Sequence, residues 1–164
     1  MPHFTRKTSV HIMKYKSPII IGSDHAAYAL KEKVKAFLIT FDITVEDVGV
    51  YSEDSSDYTD YGIKVAQGVS TGQFERGVLL CGTGQGMTMV ANKFAHVRAA
   101  LCHSIFEADM SRRHNDSNIL VMGGRVIGEG LAREIVRTWI NTSFEGARHK
   151  ERLKKFDMMG EHVK

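Results

Sequence analysis

One stretch constrains this chain more than any other: Arg76 to Asn92, read as RGVLLCGTGQGMTMVAN. Val78, Leu79 and Leu80 form an apolar run without alternation, which suits a central strand covered on both faces. The run stops at Cys81. Gly82, Gly84 and Gly86 then allow positive φ and a close backbone approach to a bound atom, while Met87, Val90, Ala91 and Phe94 recur at helical spacing. A helix therefore opens at the glycines. Its first amides have no partners of their own, so the turn and helix start form a concavity of N–H donors suited to negative charge, with Cys81 at its lip.

The glycines do not fit the dinucleotide-binding fingerprint G-x-G-x-x-G. Counted from Gly82 the third glycine falls on Met87, and counted from Gly84 it falls on Met89. The following strand, Val97 to Leu101, ends in Cys102 and His103 rather than in the acidic residue that would hold a ribose. A donor cradle for a small oxyanion beside a potential base is the better reading, with a tight packing turn as the alternative.

A chain of 164 residues fits one domain with a sizeable core. A net charge of +3, dispersed along the chain, argues against nucleic acid as a partner but would not repel an anionic metabolite. The two cysteines, the lack of a bilayer-length apolar run and the lack of a secretory segment point to a reducing, cytoplasmic setting and no membrane partner. Residues 1–17 carry basic and no acidic side chains, and they read as a flexible extension before a single domain at 18–164. His3 and His11 lie in that extension as solvated residues.

In order, the strands are expected at Pro18–Ser23, Ile43–Val50, Arg76–Cys81, Val97–Leu101 and Ile119–Met122. The helices between them carry their apolar faces at Leu30, Val34, Phe37, Leu38 and Phe41; at Tyr58, Tyr61, Val65, Ala66 and Val69; from Met87 to Phe94; and across Ser104–Arg113. Leu131, Ala132, Ile135, Val136, Trp139 and Ile140 mark a further helix, and Arg148 to Met159 a charged terminal one. This alternation predicts an α/β, Rossmann-like three-layer α/β/α domain with a five-stranded parallel sheet plus a C-terminal helix.

In such folds ligands collect at the carboxyl ends of the strands. Asp24 and His25 follow the first strand, Cys81 and the glycines the third, Gly124 and Arg125 the fifth. Asp24 is also a natural helix N-cap. Tyr58 reads mainly as a packing residue, and Cys102 as a small core residue. His114 and Asn115 come after the helix that returns from the fourth strand, so they belong at the amino edge, far from their own Cys81. If Cys81 and His114 cooperate, two subunits must share each site; otherwise His114 and Asn115 only shape a turn. Arg148 and Arg152, four apart on one helix face, make a plausible phosphate clamp or a solvated surface, and His149 is read as solvated. No set of His, Cys, Asp and Glu shows metal-ligand spacing, so no metal and no cofactor are expected.

Taken together, GSDHAAYALK, DYTDYG, LLCGTGQGM, ANKF, RRHNDSNIL, GGRVIG and FEGARHKERL, in this order from Pro18 to Phe156, resemble type B ribose-5-phosphate isomerases. That wider family includes galactose-6-phosphate isomerase subunits. The resemblance implies that Cys81 moves the proton between two adjacent sugar carbons, in the branch of the family that uses cysteine rather than glutamate. It implies that His114 assists ring opening, that Asp24, His25 and Asn115 contact substrate, and that the amides of Gly82, Thr83, Gly84, Gln85 and Gly86 hold sugar oxygens. Arg125, Arg148 and Arg152 map to phosphate contacts, with His25 and Tyr58 nearby, and the Thr83 hydroxyl orients the thiol or a sugar hydroxyl.

The implied activity is interconversion of ribose 5-phosphate and ribulose 5-phosphate through an enediolate, by a homodimer with shared sites; a tetramer is compatible with the same reading. Such chemistry needs one mobile base and fixed donors facing the developing oxyanion, and a thiolate beside free amides supplies both. An isomerase of six-carbon sugar phosphates and a non-catalytic sugar-phosphate binding module both stay open at this point.

Overall fold

A computed structural model describes residue 15 and residues 17–159. The expected extension at 1–17, with His3 and His11, lies almost wholly outside the described residues. Five strands form one parallel sheet: β1 (Ile19–Ser23), β2 (Val45–Asp47), β3 (Arg76–Cys81), β4 (Ala99–Leu101) and β5 (Ile119–Gly123), in the order β2-β1-β3-β5-β4. The helices are α1 (Tyr28–Ile39), α2 (Tyr58–Ser70), α3 (Gln85–Ala91), α4 (Ile105–Asn115), α5 (Glu129–Asn141) and α6 (Ala147–Met158), and a 3-10 turn at His25–Ala27 leads into α1.

The three central strands bury nearly every side chain, as their unalternated apolar runs require. One face packs Ile19, Ile21, Val78, Leu80, Leu120 and Met122 against α1, α4 and α5. The other packs Ile20, Leu79, Ile119 and Val121 against α2 and α3. This is the expected three-layer α/β/α architecture. Chain direction across the sheet reverses between β1 and β3, which opens a crevice at their carboxyl ends.

Several expected boundaries move, each for a local reason. β2 is confined to Val45–Asp47 rather than Ile43–Val50: Gly49, at a left-handed φ of 102°, interrupts the regular strand, although the chain stays beside β1, with the Val48 amide donating to the Ile21 carbonyl and the Val50 amide to the Ser23 carbonyl. β4 begins at Ala99 rather than Val97: the Asn118 side chain accepts from the Arg98 amide at 2.7 Å and takes the place of a strand partner. α3 ends at Ala91, before Phe94, where the Asn92 side chain turns to bond both the amide and the carbonyl of Ala99 at 2.9 Å. α4 runs on to Asn115, so His114 and Asn115 occupy its last turn rather than a loop.

Candidate active site

Cys81 ends β3 with its side chain buried, and the Gly84 amide donates to its Sγ at 3.1 Å. That contact depends on Gly84 itself, which caps α3 at φ 83°, a left-handed conformation that a side chain would resist. Neighbouring loops are tied to this turn through backbone bonds: the Gly124 amide donates to the Cys81 carbonyl at 2.8 Å, and the Arg125 amide to the Gly82 carbonyl at 3.0 Å. The Arg125 side chain therefore lies over Gly82, where a Cβ would meet its Cδ at 3.6 Å. Tyr58, half-exposed, leans its ring over Gly86 so closely that a Cβ there would lie 2.6 Å from Cε2. The Thr83 hydroxyl accepts weakly from the Gln85 amide at 3.4 Å and caps the turn; both side chains are exposed.

The β1 loop faces this turn, with the Asp24 amide donating to the Leu80 carbonyl at 3.2 Å. Asp24 occupies the cap position of the 3-10 turn, yet its side chain makes no capping bond and its buried Oδ1 has no partner. Burial pushes its carboxyl above the ordinary range, against the opposing pull of His25, the Ala26 and Ala27 amides, and Arg125. His25 is oriented by Ser56. The Ser56 amide donates to His25 Nδ1 at 3.1 Å, which leaves the ring proton on Nε2, and the Ser56 hydroxyl accepts from the His25 amide. Ser56 is 31 positions away, in a loop that reads as a mere connection, so no local signal marks it.

A second cluster forms at the opposite end of the sheet. His114 and Asn115 end α4 before β5 begins, and with His149, Arg152 and Leu153 they line a cavity of about 420 Å³. His149 is not the solvated residue expected. It is 5 % exposed, and its ring stacks on His114 at 4.3 Å between centroids with planes 10° apart. Burial lowers its pKa, helped by His114, Arg148 and Arg152 and opposed by Glu145. Arg148 Nε reaches His149 Nε2 at 3.4 Å, and Glu145 lies 3.7 Å from His149 and 4.0 Å from His114.

His114, Glu145 and His149 form the one group among the described residues whose ligand atoms lie within 4.8 Å of one another. Parallel rings aim their lone pairs side by side rather than at one point, and Arg113, Arg148 and Arg152 surround them. The arrangement suits an anion and a proton donor better than a cation. The structure thus gathers Asp24, His25, Tyr58, the Cys81–Gly86 turn and Arg125 at one edge, and His114, Asn115, Arg148 and Arg152 at the other. Cys102 is fully buried, and its thiol is pushed up to about 11 by burial, in keeping with a core role.

A parallel sheet with an amide-bonded thiol and a cationic side chain at its switch point defines an α/β enzyme of small anionic metabolites. The chain belongs to the ribose/galactose isomerase family, whose model matches residues 19–156. It is 42% identical to ribose-5-phosphate isomerase B of Escherichia coli over 135 residues, 82% of this chain and 91% of that one. It is 39% identical to D-erythrulose-4-phosphate isomerase of Pectobacterium atrosepticum, over 84% of this chain and 91% of that one. A crystal structure of a Thermotoga maritima ribose 5-phosphate isomerase superposes with a TM-score of 0.85 at 49% identity, covering 88% of this chain and 99% of that one. The protein is a sugar phosphate isomerase. Among the described residues no helix is long and apolar enough to cross a membrane.

Proposed function

We propose that the enzyme interconverts D-ribose 5-phosphate and D-ribulose 5-phosphate, with Cys81 as the proton-transfer base and His114 of a second copy as the ring opener. The observation that carries this reading is the Gly84 amide on Cys81 Sγ, at the crevice where a small ligand would enter. The first step opens the furanose: His114 gives a proton to the ring oxygen as its bond to C1 breaks, and the C1 hydroxyl gives its own proton to solvent, leaving the C1 aldehyde. The Cys81 thiolate then takes the proton from C2, leaving an enediolate, and returns it to C1 as the C2 hydroxyl passes its proton by way of solvent to O1 and the carbonyl forms at C2. With the Gly84 amide engaged by Cys81, the other amides of the Gly82–Gly86 turn face the oxyanion, and donors so placed are each worth roughly 10² to 10³ in rate.

Asp24 and the Nε2 proton of His25 address sugar hydroxyls, and Asn115 a sugar oxygen. Arg125, Arg148 and Arg152 hold the phosphate, with Tyr58 closing the wall. Since His114 and Cys81 stand at opposite edges of one sheet, the reading requires a homodimer in which each site joins the carboxyl edge of one copy to the amino edge of the other. It also takes residues 18–164 as one isomerase domain acting in the cytoplasm.

The test is turnover of ribose 5-phosphate without added metal by wild type and Cys81→Ala. Wild type should turn over and the variant should bind without turnover. A wild type that ignores pentose phosphates but isomerises a four- or six-carbon phosphate would move the substrate assignment, and binding with no turnover of any would remove the catalytic one.

A further inference from the structure

We infer that His149 is the positioning residue of the amino-edge half of the site: its ring fixes the plane of His114, and its Nε2 anchors Arg148 so that the outer guanidinium nitrogens are left to an anion. His114 needs such a support. It occupies the last turn of α4 with 37 % of its side chain open, and among the described residues its ring makes no hydrogen bond. What holds it is the parallel stack on His149, at 4.3 Å between centroids and 10° between planes. A ring laid flat on another keeps both its nitrogens in one plane, so the proton-bearing edge stays aimed in one direction.

His149 is itself placed by the chain before it. The Glu145 amide donates to the Arg113 carbonyl at 3.1 Å, and Arg113 Nη1 reaches Glu145 Oε1 at 3.3 Å, so the segment entering α6 is pinned to the residue before His114. Gly146 then turns at φ 68°, a conformation open to glycine, and His149 falls in the first turn of α6 with its side chain buried. Arg148 Nε donates to His149 Nε2 at 3.4 Å, which puts the ring proton on Nδ1. An arginine anchored through Nε keeps its Nη1 and Nη2 pair for an anion.

The charges around the pair suit the same division of work. Burial opposes a proton on His149, as do His114, Arg148 and Arg152, while Glu145 favours one, so His149 serves as a neutral ring. Glu145 Oε2 stands 3.7 Å from His149 Nε2 and 4.0 Å from His114 Nε2, facing both without a hydrogen bond to either. A second imidazolium stacked on His114 would repel its charged form, whereas a neutral ring does not. In this role His149 touches neither the sugar ring oxygen nor the transferred proton, and it acts through two neighbours that meet substrate.

This inference rests on His114 being the ring opener, and its readouts are chosen to separate the two. His149→Phe keeps the ring and loses the acceptor, while His149→Gln keeps an acceptor near the place of Nε2 and loses the ring. His149→Phe should hold kcat for ribose 5-phosphate and raise KM about two- to tenfold, the range of one net hydrogen bond. His149→Gln should do the reverse, with kcat down about two- to tenfold, the range of an aromatic pair, and KM near wild type. Ribulose 5-phosphate cannot close a furanose because its O5 carries the phosphate, so deuterium wash-in at its C1 needs Cys81 but no ring opening. His149→Gln should keep the wild-type rate of that exchange. In ¹H spectra the His114 ring protons should lie upfield in wild type and in His149→Phe and move downfield in His149→Gln, a readout independent of turnover. Equal losses of kcat in both variants, exchange that falls with kcat, or His114 shifts that are the same in all three proteins would overturn the proposal. A wild type with the stacked shifts but neither turnover nor exchange would instead remove the isomerase reading and leave His149 positioning His114 and Arg148 for a bound anion.

Discussion

Replacing Gly84 by alanine separates the turn's geometry from its composition. The new Cβ would sit on a residue at φ 83°, it would collide with Leu101 Cδ1, and it would come within 3.3 and 3.4 Å of Met122 backbone atoms. A left-handed backbone costs an ordinary residue about 1–2 kcal/mol, and forcing a methyl into a packed interior about 1–3 more. The sum is about 2–5 kcal/mol, which for a domain of this size lowers Tm by about 4–20 °C. Relief by moving the turn would also carry the Gly84 amide off Cys81 Sγ, and losing one hydrogen bond to a charged sulfur lowers kcat by about 10–100-fold. Calorimetry and initial rates on one preparation read both effects. Gly130→Ala is the control: nothing lies within 4 Å of its Cβ position, and it should gain about 0.4–1 kcal/mol with kcat unchanged. A Gly84→Ala enzyme with the melting point and kcat of wild type would refute the role given to this turn.

Three further outcomes follow from the same geometry. Asp24→Asn should raise stability while lowering activity, because the native state holds a carboxylate that burial disfavours. With the folded pKa above the unfolded one, the wild type loses stability as pH rises through that interval, so the gain should be full at neutral pH and vanish below the ordinary carboxylate range; thermal melts across pH check this. His149 has the opposite protonation, a base kept neutral by burial: as pH falls through the ordinary histidine value the unfolded chain takes its proton first, and the native state loses stability. His149→Phe, which keeps a ring on His114, should flatten that acid limb of the melting curve. Arg152→Ala should raise KM for the sugar phosphate by about 10–100-fold with a smaller change in kcat, the value of one charge-assisted bond, and weaken competition by inorganic phosphate in parallel.

Much of the fold was legible because its signals are local. Apolar runs such as Val78–Leu80 and helical stripes such as Leu131–Ile140 each specify one element, and their alternation leaves a parallel sheet as the consistent assembly. The glycine turn was legible too, since its chemistry belongs to the backbone and the glycines announce it. What escaped was side-chain geometry between distant segments. Asn92 and Asn118 close two elements early by standing in for strand partners, and polarity alone marks neither. Ser56 fixes His25 from another loop. His149 sits among charged neighbours on α6 and looks solvated until the packing of that helix brings it onto His114.

The most direct test of a shared site is complementation between two inactive enzymes. Cys81→Ala and His114→Ala are purified separately, mixed in equal amounts, dissociated and reassembled, and assayed for pentose phosphate turnover. In a symmetric dimer with shared sites, each mixed dimer pairs one doubly damaged site with one intact site, so activity should recover to about a quarter of wild type. If each subunit built its site alone, every site in the mixture would carry one defect, and the mixture would stay as inactive as its components.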